Sequence, residues 1–108
     1  MTFEDVVEEA LDSLPAEIAA GLRNVAVVVE DENPEDPDLY GLFEGVPLTE
    51  GGPDAGDLPS RIAIYQQPLQ ADFQEEHELR EEIRITVLHE LGHYFGLDED
   101  RLAELGYE

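Results

Sequence analysis

Apolar positions along this chain follow three kinds of spacing, and each predicts a different element. Phe3, Val6, Val7, Ala10, Leu11 and Leu14 recur at three- and four-residue steps, which aligns them on one face of a helix from Phe3 to Leu14. Thr2 stands where an N-cap belongs, with Asp5 three residues on in the capping-box position. Pro15 ends this helix and opens a second short one through Ala20, stopped by Gly21. Val25 to Val29 is an unbroken apolar, mostly β-branched run, which predicts a central strand buried on both faces. Leu39 to Phe43 predicts a short strand before the Gly45-Val46-Pro47 turn. Arg61 to Gln66 alternates, with Ile62 and Ile64 on one face and Ala63 and Tyr65 on the other, as a third strand does. The segments Asp31–Asp38 and Glu50–Asp57, rich in Pro, Gly and acid, read as loops.

The C-terminal third returns to helical spacing. Asp72, with Glu75 three residues later, predicts the cap of a long helix running to about Phe95. Its early turns are rich in Glu, which suits the positive end of a helix dipole. Ile83, Val87, Leu91 and Tyr94 form its apolar stripe, widened by Leu88 and Phe95. Gly96 is the expected terminator, because glycine accepts positive φ. Asp98 to Tyr107 predicts a last short helix, with Asp98 as N-cap and Leu97 and Leu102 flanking its first turn. There is no internal repeat, and residues 1–108 read as a single α/β (α+β) domain.

Length and composition narrow the chemistry. A chain of 108 residues hides roughly two-thirds of its unfolded surface, enough for one modest core. Without cysteine there is neither a disulfide framework nor a thiolate zinc site, so any metal must be held by His and carboxylates. The charge is −23, from 28 acidic residues against five arginines and no lysine. Such a chain repels nucleic acid and anionic membranes and attracts a basic peptide, a basic protein or a metal ion. Much of that charge is also simply a solvated surface. Met1 to Leu14 is acidic and unlike a signal peptide, and no apolar segment approaches membrane-spanning length, so a cytoplasmic monomer is expected.

The candidate chemistry sits at His89-Glu90-Leu91-Gly92-His93-Tyr94-Phe95-Gly96, which reads H-E-x-x-H-x-x-G. Two histidines four residues apart lie about 40° past one full helical turn, so their rings converge on one point and can grip Zn²⁺. Glu90 projects roughly 100° round from His89, poorly placed as a ligand but within reach of a metal-bound water, as a general base requires. A third ligand must come from beyond Gly96, where the chain reverses. Asp98, Glu99 and Asp100 qualify by type, and Glu99 leads because Asp98 has a competing capping role. His77 lies about 18 Å up the helix from His89, too far to join them. Thr86 and Glu82, on the preceding turns, are candidates to support the ligands or to face solvent. Tyr65, Tyr94 and Tyr107 are candidate oxyanion donors whose more ordinary role is packing.

In its residues from Leu39 onward the chain resembles a bacterial family of minimal zincin-like metallopeptidases. The resemblance rests on Gly41-Leu42-Phe43-Glu44-Gly45-Val46-Pro47-Leu48-Thr49, on Leu58-Pro59-Ser60-Arg61-Ile62, and on Glu82 through His93. The closing Asp100-Arg101-Leu102 and Glu104-Leu105-Gly106-Tyr107 match as well. It implies a small mixed sheet packed on helices, a long active-site helix, His89 and His93 as metal ligands, Glu90 as base, and hydrolysis of a peptide or protein substrate. Glu99 stands where that family has an acidic residue after the glycine. In zincins an edge strand before the active helix pairs with extended substrate, and Arg61, Ile62, Ala63, Ile64 and Tyr65 occupy that place. Metzincins carry His where Glu99 stands and a methionine turn below the metal, whereas this chain has no methionine after Met1. Two rival readings use the same residues: a metal-binding regulatory or interaction module without turnover, and a closed structural zinc domain.

Overall fold

The first helix begins with a reciprocal cap. Thr2 Oγ1 accepts from the Asp5 N–H and the Asp5 carboxylate accepts from the Thr2 N–H, each at 3.2 Å. A computed structural model of the chain describes residues 2–14, 16, 19, 25–47 and 60–105. Of the expected helix over Pro15–Ala20 only Ala16 and Ala19 are described, both helical, and the loop at Glu50–Asp57 and Tyr107 lie outside the described residues. Helix α1 spans Phe3–Asp12 and buries Phe3, Val6, Val7 and Ala10, the face its spacing predicts.

Three strands follow: β1 (Val25–Glu30), β2 (Gly41–Glu44) and β3 (Ser60–Tyr65). Their order is β1-β3-β2, with β1 parallel and β2 antiparallel to β3, so the sheet is mixed. This corrects the expectation for Val25–Val29. Among the described residues β1 is an edge strand, half-buried at Val25, Val27, Val28 and Val29, and β3 is the centre. Ile62, Ala63 and Ile64 are all 0% exposed, as a strand covered on both faces must be. β-branched density reports a preference for pleated surface, not a strand's place in the sheet.

The long C-terminal helix is also divided. Asp72 does not cap it; Asp72 ends a separate helix α2 (Gln66–Asp72), and its carboxylate accepts the Tyr40 hydroxyl. Pro68 is tolerated in the first turn of α2, where backbone N–H groups have no helical partner. Helix α3 (Glu76–Tyr94) starts afresh, capped by Glu75, whose carboxylate accepts from the N–H groups of His77 at 3.0 Å and Glu78 at 2.9 Å. Ile83, Val87 and Leu91 of α3 meet Ile62 and Ile64 of β3, Leu69 of α2, and Val6, Val7 and Ala10 of α1 in one core. Truncating a core Ile or Leu to Ala costs about 2–5 kcal/mol, so the helix carrying the motif is anchored by its own buried face.

That helix stops where Gly96 adopts φ +85°. The Gly96 N–H donates to the His93 carbonyl at 3.0 Å and the Leu97 N–H to the Gly92 carbonyl at 2.9 Å, the paired bonds of a Schellman cap. The reversal leads into α4 (Glu99–Leu105). Asp98 caps α4 through the Arg101 N–H at 2.8 Å, and Leu102 is fully buried. A Cβ on Gly92 would stand 2.2 Å from Leu102 Cδ2, so only glycine there lets α4 close this far onto α3. Among the described residues no helix is long and apolar enough to cross a membrane.

Candidate metal centre

His89 and His93 occupy successive turns of α3, and their rings meet edge to face with centroids 4.8 Å apart. The two Nε2 atoms are 3.1 Å apart. Helix α4 brings Glu99 back over them, with Oε1 2.9 Å from His93 Nε2 and 3.4 Å from His89 Nε2. Three donors held at about 2.0–2.1 Å around a tetrahedral ion lie about 3.3 Å from one another. The observed triangle has edges of that size. Two imidazoles and one carboxylate make a donor set suited to zinc, so these residues fit the ion that the motif predicts.

Glu90 sits beside this triangle with a different environment. The ligand atoms of His89, Glu90 and His93 lie within 4.8 Å of one another, a looser spacing than the Glu99 triangle. Glu90 is 8% exposed, whereas the Glu99 side chain is 68% exposed. Burial pushes the Glu90 carboxyl above the ordinary range, against the opposing pull of His89, His93 and the Phe43 N–H it accepts from. One carboxylate is therefore open to solvent beside the two imidazoles, and the other is buried and drawn towards protonation.

Strand β2 lies flat against α3 at this point. A Cβ on Gly41 would stand 2.9 Å from Thr86 Cγ2, 3.1 Å from Glu90 Cγ and 3.2 Å from the Ala63 carbonyl oxygen. Gly41 and Gly92 are thus both needed for close approach, and sequence reasoning assigned neither a role. The available signals were a glycine inside a strand and a glycine at a free position of the motif.

The strand expected to receive substrate is not an edge strand. Arg61, Ile62, Ala63, Ile64 and Tyr65 belong to β3, whose two edges are taken by β1 and β2. Arg61 pairs with Glu30 at 2.7 Å and Glu44 at 3.0 Å, tying β1 to β2 across the centre. The strand beside the motif is β2. The Tyr65 N–H donates to the Tyr40 carbonyl at 2.8 Å, so by alternation Gly41 and Phe43 turn their backbone groups outward. The outward Phe43 N–H is the one that reaches Glu90.

A cleft of about 560 Å³ runs between β2 and the His89–His93–Glu99 cluster, walled by Leu42, Phe43, Pro47 and Leu97 over His89, Glu90, His93 and Glu99. That volume falls in the range of about 300–1,000 Å³ typical of ligand sites. A groove of similar size, about 590 Å³, lies between α1 and α3 with none of the motif in its walls. Other candidates fall away from the cleft's chemistry. Tyr65 and Tyr94 are buried, Tyr65 accepting from Asn33 and Tyr94 packed edge-on to Phe43 and Phe95. His77 and Asp100 are exposed, and Thr86 donates to the Glu82 carbonyl at 2.8 Å.

A sequence profile described as zincin-like metallopeptidase matches residues 22–107. That span takes in all three strands, the helix of the motif and the helix carrying Glu99. Comparison with curated proteins gives no match.

Proposed function

The chain belongs to the zincin-like metallopeptidase family, and from that membership we propose that it hydrolyses peptide bonds with zinc held by His89, His93 and Glu99 and with Glu90 as general base. One observation carries the reading: three donor atoms spaced for a tetrahedral ion stand next to a buried carboxylate at the floor of an open cleft. Bound zinc would supply Lewis acidity to the scissile carbonyl and lower the pKa of water. Everything else falls to the chain's own side chains. Glu90, its carboxyl raised by burial, takes a proton from water and passes it to the departing amine. The Phe43 N–H holds the Glu90 carboxylate in line for that transfer. The edge of β2 that pairs with no strand among the described residues, in place of Arg61–Tyr65, pairs with the extended substrate, with backbone hydrogen bonds supplying affinity.

An interaction module that binds metal without turnover is the alternative, and the exposure of the Glu99 side chain favours it, since a partner's group could replace so open a ligand. Cleavage of a peptide library by zinc-loaded protein, with Glu90→Gln as control, separates the two. The peptidase reading expects cleavage in the native chain, and in the variant unchanged zinc binding with hydrolysis reduced by at least 10²-fold. Undiminished cleavage by Glu90→Gln refutes the mechanism. Peptide binding without products from either protein supports the interaction module.

A further inference from the structure

Beside the main cleft lies a smaller cavity of about 230 Å³ that shares Leu39, Gly41, His89 and Glu90 with it. Its remaining walls are Tyr40 and Ile85, with Glu82 and Thr86. The volume is below the roughly 300 Å³ at which whole-ligand sites begin, so it suits a single side chain entering from the cleft. We propose that this pocket selects substrates carrying a lysine or arginine side chain next to the scissile bond, with Glu82 as the specificity-determining residue. The proposal rests on the peptidase reading of the neighbouring site.

Two features of the pocket lead to a long cationic side chain. Leu39, Tyr40 and Ile85 are half-buried and give apolar wall for a methylene stem, which Lys and Arg bury readily while keeping the charge at a polar end. Glu82 supplies that polar end. Its residue is half-buried, and no hydrogen bond or ion pair among the described residues engages its carboxylate. Of the other carboxylates, Glu90 lines the pocket where it joins the cleft, Asp72 accepts the Tyr40 hydroxyl, and Glu81 is held by Arg84 at 2.7 Å. The Tyr40 hydroxyl is held at about 12, first by its bond to Asp72 and then by burial and by the charges of Asp72, Glu82 and Asp38. Glu82 and Tyr40 line the same pocket, and the acidic groups around Tyr40 make a field that repels an anionic side chain.

The overall charge of −23 would by itself draw in basic peptides, so the test must separate a pocket from a field. The field is long-ranged, is screened within about 6 Å at 0.3 M salt, and is barely altered by one neutralised residue. Zinc-loaded Glu90→Gln serves as a binding-competent trap. Peptides differing only in Lys, Arg, norleucine or Glu at one position are titrated against it at 0.3 M salt, with the amide resonances of Tyr40, Ile85 and Thr86 as reporters. The same titrations are repeated with Glu82→Gln and Glu82→Arg added, each checked for native unfolding temperature. We expect Lys or Arg to bind at least tenfold more tightly than norleucine, the difference to vanish with Glu82→Gln, and the order to favour Glu with Glu82→Arg. Equal binding of Lys and norleucine, or a preference that survives Glu82→Gln, overturns the proposal. Cleavage of the same peptides by the native chain is read separately. If the binding pattern holds and nothing is cut, the pocket stands and the peptidase reading falls.

Discussion

Replacing Gly41 with alanine isolates the contact that seats β2 against α3. Gly41 does not have a positive φ, so alanine can adopt its backbone conformation and only space is at issue. The added Cβ would meet Thr86 Cγ2 at 2.9 Å, Glu90 Cγ at 3.1 Å and the Ala63 oxygen at 3.2 Å. None of the three can easily retreat: Ala63 is in the central strand, and Thr86 and Glu90 are buried on α3. Overpacking of this kind costs about 1–3 kcal/mol, while the lost flexibility of glycine in the unfolded chain offsets about 0.4–1 kcal/mol. The net cost is about 0.5–2 kcal/mol, or a fall of about 3–10 °C in unfolding temperature for a domain of this size. Because the strand must lift or Glu90 must tilt, the bond from the Phe43 N–H to Glu90 is lost. Peptide hydrolysis should drop at least tenfold while zinc affinity, set by α3 and α4, stays within about threefold. Calorimetry on Gly41→Ala, Thr86→Ser and the double variant gives the decisive number. Serine removes Cγ2, and the chain-entropy term cancels in the cycle, so a favourable coupling of at least about 0.5 kcal/mol measures packing alone. A native unfolding temperature together with zero coupling would show that β2 and α3 are not in close contact at Gly41.

Further predictions follow from the site and its surroundings. Glu99→Ala should weaken zinc binding tenfold or more with little change in stability, whereas Asp98→Ala should cost about 0.5–2 kcal/mol through loss of the α4 cap. Equal effects of the two on zinc affinity, measured by calorimetry, would remove Glu99 as the third ligand. Chelation should leave the far-ultraviolet circular dichroism spectrum unchanged, because the core of α1, β3 and α3 closes without the site, and unfolding on chelation would favour a structural zinc. Tyr40 should ionise near pH 12 by ultraviolet titration, and Asp72→Asn should bring it back towards 10. Since the folded pKa lies above the unfolded one, the stability tied to the Tyr40 proton is complete below about pH 10 and is lost between pH 10 and 12. A Tyr40 titration unmoved by Asp72→Asn would show the hydrogen bond to be absent in solution.

The sequence by itself determined what depends on neighbours along the chain. Thr2 and Asp5 cap α1, His89 and His93 converge because four residues make one turn, Gly96 closes a Schellman cap, and Asp98 caps α4. Each is a contact of three to five residues, so local geometry decides it. The division of the long helix at Phe73–Glu75 was less legible, because Asp is the better N-cap by type, whereas Asp72 ends α2 and accepts the Tyr40 hydroxyl and Glu75 caps α3. Strand order was not legible. Val25–Val29 is the more β-branched run, yet Ile62–Ile64 takes the centre, because position in a sheet depends on which segments arrive on either side. The same holds for the burial of Glu90, the close seats at Gly41 and Gly92, and the pocket lined by Glu82. Those features arise where β2 and α4 pack against α3, and packing joins residues whose separation in sequence carries no period to read.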